Sequence, residues 1–364
     1  MSDSNPIKRI FDLYTSDLSY NEIERLVKRE AGEVYEFFSK DIPKADQTKS
    51  KFYRSLIFIR SLFNAFILKL SPARRIFYFA ALLFFFVGYS QPSNFYLLLS
   101  FIIFNLLLAF ELADKLSARS ELDVARKIQS DIIPKHGNTI KKFEIASYYE
   151  PAREVGGDYF DIVEKDNKTY LFVGDISGKG MAAALYMVVV KSIFHLLLDS
   201  ITDLKELVIQ FKYHFSKNLR KENFITLNTA LINEDGSLKV IRAGHGPFYH
   251  YKSSTETIES IAPQGIGIGF NDKGIFEKTL EEIELRTELN DILFFFTDGV
   301  NETMNETHQE FGEERIKTLI KNNAFRSSDE IKNIILWAVN QYRGTTPQFD
   351  DLTFVILKDI GNQS

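Results

Sequence analysis

The sequence predicts an α+β protein in which antiparallel β-sheets are covered by helix pairs, carried behind a transmembrane helical hairpin and a connecting helix. Three observations predict it. Residues 76–89 are apolar throughout, and residues 95–110 are interrupted only by Ser100 and Asn105. From about residue 143 onward, short β-like segments follow one another through turns. The helical stretches there arrive in consecutive pairs rather than one after each strand, which argues against a Rossmann-type winding. At 364 residues with 45% hydrophobic content, the chain can bury more than one core. The expected divisions are residues 1–50, a cytoplasmic helical segment; 51–112, the membrane region; 113–134, the connecting helix; and 135–364, a catalytic domain.

Residues 1–50 are polar and charged, and nothing in them resembles a cleavable signal peptide. Ser19 with Glu22, ahead of Ile23, Leu26 and Val27, reads as a helix start with a capping box. Residues 52–70 mix apolar side chains with Arg54, Arg60 and Lys69, which suits a helix lying in the membrane interface. As a third span the same stretch would hold Arg60 near mid-membrane at high cost. Transmembrane helices are expected at about 74–92 and 94–112. Each apolar run falls short of the about 20 residues that cross a bilayer, and polar flanks at the interface make up the length. A pair of buried core helices is the competing reading, but neither run has the polar face that a soluble bundle needs. Lys69, Arg74 and Arg75 precede the first span, and Lys115 and Arg119 follow the second. Both ends therefore belong in the cytoplasm, giving a multi-pass protein of the cytoplasmic membrane. Leu112, Leu116, Leu122, Ala125, Ile128 and Ile132 form a partly heptad-like stripe. Such a helix pairs with its copy in a homodimer or packs on its own catalytic domain. Pro134 ends it.

Strands are expected at 143–149, 159–164, 169–174, 225–233, 238–242, 248–252, 276–284, 291–296 and 352–357. The helices are expected at 182–198 and 203–219, then at 313–322 and 328–342. The glycine-rich run 265–269 lacks the strand-to-helix context of a dinucleotide site and reads as a loop. A net charge of −5 and no concentrated basic surface argue against a nucleic-acid partner. The absence of cysteine excludes disulfides, thiolate zinc sites and a cysteine-nucleophile phosphatase. Any metal must then rest on oxygen or histidine, and the six histidines show no paired ligand spacing, which argues against a zinc-type histidine cluster.

Asp158 follows Gly156-Gly157, Asp175 closes the 169–174 segment, Asp298 follows 291–296, and Asp350-Asp351 precede 352–357. A single aspartate at a strand end is ordinarily a turn former or a helix cap. Four such positions can meet at one rim of a sheet, where they make an oxygen cage for hard divalent cations.

The blocks EPAREVGGDYFD (150–161), GDISGKG (174–180), AGHGP (243–247), TDG (297–299) and QFDDLT (348–353) resemble the SpoIIE/RsbU-like branch of the PPM (type-2C) phosphatases. Ala125-Arg126-Lys127-Ile128-Gln129, ahead of Pro134, looks like the helix that leads into this domain. The resemblance covers about 122–358 and leaves the first 110 residues unexplained. It implies two packed antiparallel sheets flanked by helix pairs, an αββα sandwich, with two Mn²⁺ or Mg²⁺ ions at one edge. On matching positions Asp175 bridges both ions, the Ile176 carbonyl and Asp158 serve the second, and Asp298 with Asp350 hold the first. Asp351 is the neighbouring candidate, and since successive strand residues face opposite ways only one of that pair enters the cage. Asp161 supports from behind, and His245 is structural. The implied activity is hydrolysis of phosphoserine or phosphothreonine by hydroxide formed from water between ions about 3.5 to 4 Å apart, with Asp175, Asp158 and Asp298 as the catalytic set. Arg153, Ser177 and Lys179 are the candidate substrate-binding residues. Ser177 and Lys179 stand where the eukaryotic branch carries a histidine, so the acid for the leaving oxygen is open. The implied substrate is a phosphorylated regulatory protein of the STAS anti-anti-sigma type. A catalytically silent binding module and another two-metal phosphohydrolase are the competing readings.

Overall fold

A computed structural model describes residues 51–91, 94–134, 139–217, 223–270 and 274–361. The helix expected from Ser19 lies outside them. The chain divides into two units, one ending at Leu116 and one beginning at Ser117.

The first unit contains α1 (Lys51–Lys69), α2 (Pro72–Ser90) and the start of α3 (Asn94–Ile132). Proline in the first turn opens α2 where an unpaired amide would otherwise stand. The α2 and α3 helices run antiparallel as a hairpin. The Ser100 hydroxyl donates to the Ala81 carbonyl at 2.9 Å, the rings of Phe84 and Tyr96 stack, and Arg74 pairs with Glu111 and Asp114. The expected second span and connecting helix form one uninterrupted helix, because no glycine or proline breaks the sequence between Asn94 and Ile132. Both α2 and α3 are long and apolar enough to cross a membrane.

The second unit is a sandwich of two antiparallel sheets. One has the order β1-β2-β11-β10-β7-β8, from Thr139–Ile140, Phe143–Glu150, Leu352–Asp359, Ile292–Phe296, Phe248–Lys252 and Thr257–Ile261. The other has the order β3-β4-β5-β6-β9, from Tyr159–Lys165, Lys168–Ile176, Ile225–Ile232, Leu238–Ala243 and Glu282–Leu285. Their inner faces meet through Phe160, Ile162, Leu171 and Val173 on one side and Phe248, Leu293, Phe295 and Val355 on the other. Helices α4 (Met181–Leu198) and α5 (Leu204–Ser216) cover the second sheet. Helices α7 (Glu313–Asn323) and α8 (Ser328–Arg343) cover the first. Every strand between two layers needs apolar side chains on both faces. In β10, Ile292, Phe294 and Phe296 face the helices while Leu293 and Phe295 face the opposite sheet.

One expected strand is corrected. Residues 276–284 form a short helix, α6 (Ile275–Thr279), followed by β9. Gly274 turns the chain at φ 83°, and Phe276 and Leu280, spaced one helical turn apart, are both buried in the core beneath α5. The strands β1 and β8 were not expected. In β8 most side chains are exposed and polar, so the sequence carries no apolar alternation there.

Candidate metal centre and active site

Antiparallel pairing delivers the acidic residues to one rim. Tyr159 pairs with Gly174, which places Asp158, just before β3, beside Asp175 near the end of β4. Phe296 pairs with Phe354, which places Asp298, just after β10, at the same end as Asp350 and Asp351, just before β11. The two sheets are joined at this rim by the Thr297 hydroxyl, which donates to Asp158 Oδ2 at 2.7 Å. At Gly157 a Cβ would lie 2.9 Å from the Ile176 carbonyl oxygen and 3.0 Å from the Ala183 Cβ, so glycine lets this backbone close on the end of β4 and the start of α4.

The carboxylates strain one another. Burial, then the charges of Asp175 and Asp351, holds the Asp158 carboxyl well above its ordinary value. Asp175 is pushed up to about 7 by burial and by Asp298, Asp350 and Asp351, with Lys179 opposing. Burial, then Asp350, raises Asp298. Asp351 is likewise raised by burial, against three backbone amides that favour its charged form.

Those amides give Asp351 a definite place. Its Oδ1 accepts from Ala152 at 2.7 Å, and its Oδ2 accepts from Gly157 and, at 3.3 Å, from Asp158. Asp351 thereby clasps the loop that carries Asp158, whereas Asp350 turns toward Lys179, whose Nζ lies 2.7 Å from Asp350 Oδ2. The Lys179 ammonium also donates to the Phe349 carbonyl at 3.0 Å and sits 4.3 Å from the centre of the Phe349 ring. Of the candidate substrate-binding residues, Lys179 therefore reaches the acidic rim. The Ser177 hydroxyl accepts from the Phe224 amide at 2.7 Å and ties β4 to the approach to β5. Arg153 is exposed.

His245 is buried and neutral. Its Nε2 donates to the Phe296 carbonyl, so its Nδ1 accepts from the Thr226 hydroxyl, and burial pushes its imidazole down to about 4. It pins the end of β10 to the other sheet one residue before Thr297. Sequence reasoning missed the Thr297 contact, although the threonine stands in the TDG motif. It also missed the half-buried Glu302, whose carboxyl is raised by burial and then by Asp298.

The candidate donors are oxygen only: carboxylates from both sheets and a backbone carbonyl, with Asp158 and Asp351 buried, Asp175 and Asp350 half-buried, Asp298 exposed, and the exposed Lys179 as the opposing charge. Among the described residues, no group of three or more acidic or histidine side chains is arranged to hold a metal ion. A cluster whose members raise one another's proton affinity, built from hard ligands, fits hard divalent cations.

Residues 165–358, more than half of the chain, match the family described as Stage II sporulation protein E (SpoIIE). The chain belongs to the SpoIIE family. Among relatives of this SpoIIE-family chain, Protein IcfG of Synechocystis sp. is 26% identical over 280 residues, covering 68% of this chain and 43% of IcfG. The phosphoserine phosphatase RsbU of Bacillus subtilis is 24% identical over 245 residues, covering 66% of this chain and 70% of RsbU. In structure, the SiaA-PP2C domain of Pseudomonas aeruginosa aligns with a TM-score of 0.58 at 19% identity, over 68% of this chain and 98% of that domain. The PP2C phosphatase domain of SpoIIE from Bacillus subtilis, with a fragment of its regulatory domain, gives 0.51 at 21% identity, over 60% and 64% of the two chains. The second unit is thus a PPM-type domain of the SpoIIE/RsbU-like branch with the PP2C sandwich.

Proposed function

We propose that this SpoIIE-family chain is a membrane-anchored, metal-dependent serine/threonine protein phosphatase acting on a phosphorylated regulatory protein. The observation that carries the reading is the meeting of carboxylates from both sheets at one rim, with Asp158 fastened to Thr297 across the sandwich. RsbU, by its name a phosphoserine phosphatase, lends further support.

Asp175, Asp158, the Ile176 carbonyl, Asp298 and Asp350 would hold the two divalent cations, Mn²⁺ or Mg²⁺. Asp351 acts by holding the loop that carries Asp158. Divalent cations in such a site acidify water and neutralise a phosphoryl group. The chain's own residues bind and orient. Thr297 fixes the Asp158 carboxylate, Lys179 sets a cation beside Asp350 where an anionic phosphate approaches, and Arg153 is free to reach substrate from the surface. Cysteine is absent, and no covalent phosphoenzyme is required.

The substrate is expected to be a STAS-type anti-anti-sigma protein, whose dephosphorylation would free it to capture its kinase. Orientation from the flanking Lys and Arg residues sets the N-terminus and the phosphatase unit in the cytoplasm. Exposed Val124 and Ile128, one turn apart on α3, offer an apolar face for pairing with a second copy.

The test is phosphate release from a phosphoserine protein by the purified chain with Mn²⁺. Activity above an Asp175→Asn control is expected, the variant losing at least about 100-fold, as the loss of several kcal/mol of metal-derived stabilisation implies. Equal release by both proteins would refute the reading. Release from a free nucleotide in preference to phosphoprotein would replace it by another phosphohydrolase.

A further inference from the structure

The C-terminal end of α3 lies against the loop that carries Asp158, and two side chains make the attachment. Gln129 is 4% exposed. Its Nε2 donates to the Gly156 carbonyl at 2.8 Å, and its Oε1 accepts the Gly156 amide at 3.1 Å. Both backbone groups of a buried residue are satisfied by one side chain, which requires a donor and an acceptor side by side on a neutral group. Replacing Gly156 is not an alternative way to fill the space, because a Cβ there would run into the Asp351 carboxylate.

Three residues further on, the Ile132 carbonyl accepts from Lys191 Nζ at 2.7 Å, and the same ammonium lies 3.1 Å from Asp161 Oδ2 in β3. A helix C-terminus carries partial negative charge, so an ammonium shared between it and a buried carboxylate is well placed. Ile132 and Ile133 pack on the core beneath α4. The segment from Gly156 to Asp161 is thus held on one side by Asp351, through the Gly157 and Asp158 amides, and on the other by α3.

We infer that Gln129 is a positioning residue for the acidic site: its carboxamide fixes the backbone at Gly156 so that Asp158 is delivered to Asp175 and Thr297. The inference rests on the metal-dependent reading above. Gln129 touches neither substrate nor cation; it acts through Gly157, the one residue that separates Gly156 from Asp158. Groups one step behind a metal ligand typically change metal affinity by about 10- to 100-fold when removed.

The experiment uses the full chain in detergent and titrates Mn²⁺, reading free Mn²⁺ by electron paramagnetic resonance. Gln129→Met keeps length and apolar volume while removing both hydrogen bonds. Its Mn²⁺ midpoint is expected to weaken by about tenfold or more. Turnover of phosphoprotein should fall at low Mn²⁺ and recover at high Mn²⁺, with KM for the phosphoprotein unchanged. Ser130→Ala, on the exposed side of the same helix, should keep the wild-type midpoint. A wild-type midpoint in Gln129→Met overturns the inference and leaves the phosphatase reading standing. A turnover loss that Mn²⁺ does not restore also overturns it, since the role is then only structural. Failure of the wild-type protein to bind Mn²⁺ overturns the metal-dependent reading itself, and the inference with it. Should Gln129→Met unfold in EDTA, Gln129→Asn, which keeps a carboxamide one methylene short of Gly156, decides by the same titration, and an unchanged midpoint there overturns the inference.

Discussion

Asp175, pushed up to about 7 by burial and by Asp298, Asp350 and Asp351, binds a proton in the folded chain at pH values where the unfolded chain has released it. The Asp175 contribution to stability is therefore greatest below the ordinary aspartate value near 4 and is lost as pH rises through about 7. In EDTA, the melting temperature of the wild type relative to Asp175→Asn should drop between about pH 5 and pH 7.5, the comparison cancelling the opposing contribution of buried His245. At pH 7.5 the metal-free variant should be more stable than wild type by roughly 1–3 kcal/mol while inactive, as expected where function holds like charges together. A metal-free wild type that gains stability relative to Asp175→Asn over this range would show that the carboxylates do not oppose one another. Thr297→Val removes the hydrogen bond to Asp158 at nearly constant volume. It should cost about 1–2 kcal/mol in chemical denaturation and weaken Mn²⁺ binding in the same preparation. At this scale the acidic residues were legible because each borders an apolar β-like run, Asp158, Asp175 and Asp298 beside glycine. The division of labour between Asp350 and Asp351 was not, because adjacent aspartates are alike in sequence and differ only in what their carboxylates meet.

The α4 helix is as apolar as a membrane span, yet its inner face packs on β3, β4 and α5. Phe194 lies 4.2 Å from Phe172 and 4.0 Å from Phe211, ring centre to ring centre. Phe194→Ala should lower the stability of the second unit by about 3–5 kcal/mol, measured as a shifted denaturant midpoint, through lost contacts and the cavity left behind. A change below about 1 kcal/mol would remove α4 from the core. Strands with apolar residues on both faces, such as β10, and capped helices, such as α8 with its Ser327–Glu330 box, were readable from pattern. The segment 276–284 was misread because its apolar residues fit either periodicity, and the choice was made by the core that receives Phe276 and Leu280. The α3 helix shows the converse: its continuity is written in the lack of any glycine or proline, while the change of surroundings along it suggested a break.

For the whole molecule, the two units make separable expectations. A chain comprising residues 51–116 fused to a soluble reporter should sediment with membranes and resist alkaline extraction, as two helices of this length and apolarity imply. Residues 117–364 alone should remain in the soluble fraction, since their apolar helix α4 is spent on the internal core. Recovery of residues 51–116 in the soluble fraction would refute membrane anchoring. The second unit's identity was visible in ordered motifs, but those motifs reach no further back than α3.

The sequence by itself determined the apolar hairpin, the alternation of strands with helix pairs, and the acidic residues at strand ends, because composition and periodicity act locally and survive in the linear order. Only the tertiary structure decided that Thr297 reaches across to Asp158, that Asp351 clasps backbone amides while Asp350 faces Lys179, and that Gln129 grips Gly156. These contacts join residues from different sheets and from a helix far back in the chain. The pairing register and the packing of layers determine which groups meet, and neither is expressed in the spacing of residues along the chain.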